Sequence, residues 1–99
     1  MKDFIEAKLQ WRKPEDGGRQ SPPAGPKYST IARFENQGKD WSREAWSLVV
    51  EFIEFPDALL SHRVRIRFLA DGPKELLQPG AVFELMEGRQ SMARGVIID

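Results

Sequence analysis

The 99-residue chain has no cysteine, and so no disulfide, no thiolate nucleophile and no cysteine-ligated metal. It has one histidine, His62, too few imidazoles for a transition-metal cluster. No apolar run approaches the roughly eighteen residues of a membrane-spanning helix. The opening MKDFIEAKLQW interleaves acids and lysines with apolar residues, unlike the unbroken apolar stretch of a signal peptide, so a cytoplasmic protein is expected. Neither sign of charge dominates: 15 Lys and Arg face 15 Asp and Glu. Any grip on nucleic acid must therefore come from a local patch. A GxxxxGK[ST] phosphate loop is absent too, which excludes that route to nucleotide hydrolysis.

What the chain does have is alternation. An apolar fraction of 40% supports a core, and the length suits a single domain over residues 1–99. From Asp3 to Arg12, Ile5, Ala7, Leu9 and Trp11 alternate with Glu6, Lys8 and Gln10, leaving Phe4 as the apolar residue on the outer side. Lys13 to Pro26 reads as a loop, and Lys27 to Glu35 as a strand with Tyr28, Thr30, Ala32 and Phe34 on one side. Asn36 to Arg43 is polar and turn-like. Glu44 to Phe55 gives a strand with Trp46, Leu48, Val50 and Phe52 in one row and apolar residues in the other, so part of its outer face should be covered. Helical spacing also fits Trp41, Ala45, Leu48, Val49 and Phe52, but the β-branched and aromatic run to Phe55 favours a strand. In Arg63 to Ala70, Val64, Ile66 and Phe68 alternate with Arg63, Arg65 and Arg67, and a slip of one residue would bury three guanidinium groups. Pro79-Gly80 makes a turn, and Ala81 to Glu87 pairs with Gln90 to Ile98 as a hairpin through Gly88. The sum is six antiparallel strands with no crossover helix, a small barrel or sandwich.

Few residues suggest chemistry. Asp57, Ser61 and His62 share one short loop, whereas a catalytic triad needs side chains converging from separate elements, so His62 reads as a surface loop residue. The Arg63, Arg65, Arg67 row, extended by His62, has a spacing near that of single-strand phosphates. The same row would be a solvated face if its charges pair with Glu51 and Glu54 across strands. The carboxylate pairs Glu15–Asp16, Glu51–Glu54 and Glu84–Glu87 lack an evident desolvating pocket for acid–base work. Trp11 and Trp46 read as packing residues, and Trp41 as the exposed tryptophan. No catalytic residue, cofactor, metal or small-molecule substrate is expected.

Four motifs, in order, carry a family likeness: FIEAKLQW, EDGGRQSPPAGPKY, VRIRFLA and GAVFELMEGRQSMARGVI. Together they resemble the C-terminal β-barrel domain of elongation factor Tu. The resemblance implies an all-β fold, a six-stranded antiparallel closed barrel. It also implies a non-enzymatic binding module related to translation, with RNA or a translation factor as partner. Carried over, Gly17, Gly18 and Arg19 correspond to a loop near the interdomain face, and Gly88, beside Arg89, to a turn that approaches the tRNA backbone. The chain departs from that family after Tyr28, where Ser29 to Phe34 replace a segment that contacts RNA, and again over Asn36 to Arg43. With a net charge of zero, those departures support an alternative: a protein-interaction or decoy module that mimics the domain without binding RNA.

Overall fold

Each alternating segment becomes a strand. The computed structural model describes residues 4–18, 21–23, 25–42 and 45–98, with the side chains of 39–42 excepted. The strands are β1 (Ile5–Trp11), β2 (Lys27–Phe34), β3 (Trp46–Phe52), β4 (Ser61–Phe68), β5 (Val82–Glu87) and β6 (Gln90–Ile97). Their order around the sheet is β1-β4-β3-β2-β5-β6, and β6 closes on β1. All six pairings are antiparallel. The expected six-stranded closed barrel is what forms.

The inner rows explain why. Ala7, Leu9 and Trp11 of β1 face Leu48 and Val50 of β3, Val64 and Ile66 of β4, and Phe83 and Leu85 of β5 in one buried cluster. Burying one such large apolar side chain is worth roughly 1.5–3 kcal/mol, against about 0–1 kcal/mol for a surface ion pair. The inner row therefore sets the register, and the charged outer row follows it. Three aromatic rings, Phe34, Phe68 and Phe83, plug one end, with Phe34 5.6 Å from Phe83 and 6.2 Å from Phe68. Trp11, Tyr28, Phe52 and His62 gather at the other.

Several boundaries move. The helical reading of the segment around Leu48 is excluded, because Trp46–Phe52 is a strand paired on both sides. Its expected outer cover is present at Val49, which is 5% exposed. Residues Glu35–Ser42 form 3-10 turns on either side of a kink at Gly38, where a plain turn was expected. The exposure expected of Trp41 concerns a side chain outside the described ones. One extra residue, Met92, sits in β6: Leu85 pairs with Ala93 but Met86 with Ser91. This bulge lets the adjacent Met92 and Ala93 both be buried.

The clearest correction concerns His62. It is no surface loop residue: β4 begins at Ser61, and His62 is 2% exposed. Nor does it extend the arginine row. Parity places it with Val64 and Ile66 on the inner face, while Arg63 and Arg65 point outward.

Candidate functional site

Three connections leave the barrel at the end holding Trp11 and His62: β1 to β2, β3 to β4, and the β5–β6 turn. Between the first two lies a groove of about 610 Å³. Pro22, Pro23 and Pro26 form one wall, Phe55 and Pro56 the other, and Phe52 and His62 the floor. Phe55 is 95% exposed, an unusual position for a large apolar ring.

The floor is held rigidly. The His62 ring stacks on Phe52, with centroids 5.4 Å apart and planes at 21°. The Trp11 indole N–H donates to His62 Nε2 at 2.9 Å. Because an indole nitrogen only donates, Nε2 is the unprotonated nitrogen. His62 Nδ1 lies 2.9 Å from the Glu54 carbonyl oxygen, which only accepts, so Nδ1 carries the proton. Both ring nitrogens are thus engaged, and neither meets Ser61 or Asp57.

Asp57 has a different role. Its Oδ1 accepts the backbone N–H groups of Leu59 and Ser61, each at 2.9 Å, and closes a turn in which Leu60 takes a φ of 62°. The Ser61 N–H comes first in holding the Asp57 carboxyl below the usual aspartate range; desolvation pushes the other way, and the Leu59 N–H and the charge of Lys8 add to the lowering. Glu54 is held low in the same way, first by the backbone N–H of Arg63 and then by its guanidinium.

The arginine row divides. Arg63 pairs with Glu54 at 3.3 Å and reaches Glu6 at 4.0 Å, and Arg65 pairs with Glu51 at 3.7 Å. Those two guanidinium groups are neutralised across strands, which was the solvated-face alternative. Arg67 instead lies over the Phe4 ring, 5.4 Å from its centroid.

The remaining sequence-predicted residues sit in two of the three connections. Gly17 and Gly18 follow the 3-10 turn Pro14–Asp16 in the β1–β2 connection. A Cβ on Gly18 would lie 2.1 Å from the Arg12 carbonyl oxygen, so the loop can fold back on β1 only with glycine there. Arg19 lies outside the described residues. Gly88 and Arg89 make the exposed β5–β6 turn. The barrel thus brings the Gly17–Gly18 loop and the Gly88–Arg89 turn to one end, while the arginine row runs down the outer wall.

Among the carboxylate pairs, Glu84 stands apart. Arg12 donates to it at 3.0 Å and Arg33 lies 3.9 Å away. Partial burial pushes its carboxyl up, but hydrogen bonds from Ser91 and Arg12 and the two positive charges outweigh that and hold it below the glutamate norm. This is a structural clasp between β1, β2, β5 and β6. Among the described residues, no cluster of His, Asp and Glu could hold a metal ion. The sequence reading missed the groove, whose only trace was four prolines and Phe55 close to His62.

No family model, curated protein or solved structure matches the chain.

Proposed function

We propose that this barrel is a protein-binding module that takes an apolar segment of a partner into the groove between Pro22–Pro26 and Phe55–Pro56. The observation that carries this reading is Phe55, 95% exposed at the rim of a mostly apolar groove whose floor is already fixed by the Phe52–His62–Trp11 contacts. A fixed apolar floor binds without first being ordered, which is where much affinity is otherwise lost. The pairing of Arg63 and Arg65 with acids argues in the same direction, because it removes much of the cationic surface that RNA would need.

A second reading follows the likeness to the elongation factor Tu barrel: a translation-related RNA contact through the Gly17–Gly18 loop and the Gly88–Arg89 turn. What supports it is that both leave the barrel at one end and that Arg89 is exposed, with no carboxylate partner among the described residues.

One comparison separates the two. The wild-type chain and Phe55→Asp, with unchanged circular dichroism, are used to retain proteins from a lysate, and both are titrated with aminoacyl-tRNA at about 50 and about 200 mM salt. The protein-binding reading expects a specific partner that Phe55→Asp loses, and no saturable tRNA binding. Saturable tRNA binding that weakens steeply with salt and is unaffected by Phe55→Asp would replace it with the second reading.

A further inference from the structure

Arg67 ends the arginine row, and its charge has no carboxylate partner among the described residues. Its guanidinium covers the Phe4 ring at 5.4 Å and reaches the Phe68 carbonyl only at 3.4 Å. Among the described residues the Phe68 carbonyl is the one hydrogen-bond partner of that guanidinium, taken by Nη1, so the rest of its N–H edge is available to a carboxylate.

That edge borders a second concavity, of about 940 Å³, lined mainly by Phe4, Ile5 and the end of β4 with the connection after it. Lys27 and Lys74 also line it, and neither has an ion pair among the described residues. Asp71 is the acid on its lining, so three cations face one carboxylate. Apolar side chains share the lining, among them Phe4 and Leu69, the latter 58% exposed. An occupant must therefore bring negative charge and at least one apolar side chain.

We propose that this concavity binds an acidic peptide segment of a partner protein, with Asp or Glu side chains on Arg67, Lys27 and Lys74 and an apolar residue against Leu69 and Phe4. A bare polyanion satisfies only the charges and leaves the apolar part wet, so the mixed lining favours a peptide over RNA. The two sites share no lining residue, and either can fail without the other.

The test uses the whole chain and a synthetic peptide of alternating Glu and Leu, with a Lys and Leu peptide and a single-stranded oligonucleotide as comparators. Backbone amide shifts are followed by NMR. The expected result is saturable binding of the Glu and Leu peptide alone, with shifts concentrated at Phe4 and in residues 67–74. Arg67→Gln should weaken it about tenfold, the scale of one lost charge-assisted hydrogen-bond pair, and Lys74→Glu at least as much. Arg65→Gln, in the neutralised part of the row, should leave it within about twofold. The proposal is overturned if the Glu and Leu peptide does not saturate, if the Lys and Leu peptide or the oligonucleotide binds as well, or if Arg65→Gln and Arg67→Gln weaken binding equally.

Discussion

Gly95 of β6 faces Phe83 of β5, and the Phe83 ring lies over it so closely that a Cβ would sit 2.3 Å from Cζ. The ring is fully buried and packs on Phe34, so it has nowhere to swing. Gly95→Ala is expected to destabilise the barrel by about 1–3 kcal/mol. Its melting temperature should drop by roughly 4–8 °C for each kcal/mol, and a thermal scan within one degree of wild type would contradict the packing. Nothing in the sequence announces this contact, since a strand glycine looks the same whether or not a ring lies on it. His62 is the opposite case. Its inward position could be read from parity with Val64 and Ile66, but starting the strand at Arg63 hid it. The partner of its ring, Trp11, comes from another strand and no local pattern could name it.

The strands were legible as elements because one face of each is apolar. Their edges moved by one to three residues where the apolar row ends before the alternation does, as at Phe52 and Phe68. The Met92 bulge left no signal, since two adjacent buried residues break period two without saying where the partner strand compensates. The proline groove was likewise out of reach, because it forms between two connections that only closure brings together. The clasp of Arg12, Glu84 and Ser91 also depends on strand order, and it carries a pH dependence. The folded Glu84 carboxyl lies below its unfolded value of about 4.5, so its contribution is present above that value and is lost as pH falls through the lower folded one. Glu84→Gln should thus be less stable than wild type at pH 7, with the gap narrowing in urea titrations near pH 3. An equal gap at both values would show that the charge on Glu84 is not what the clasp uses.

Strand order is a property of the whole molecule, and here it is strongly non-local. β1 pairs with β4 and β6, so the first strand cannot complete either edge until most of the chain is present. Loop-closure entropy has to be overcome before those pairs form. Refolding followed by tryptophan fluorescence in a stopped-flow instrument is expected to take milliseconds to seconds. Completion in microseconds would mean that a local hairpin, and not closure, limits the rate. Six strands could be counted from the sequence, but a closed barrel and an open sandwich share that count, and only the pairing of β6 with β1 decides between them.

That pairing has a practical corollary. The amide of Ile98 reaches the carbonyl of Glu6 at 3.1 Å, so the start of β1 and the end of β6 lie side by side at the same seam. A short linker across that seam, with new ends opened at the exposed Gly88 turn, would yield a circularly permuted chain with the same strand neighbours. The same geometry suits the barrel to being spliced into a surface loop of an unrelated host.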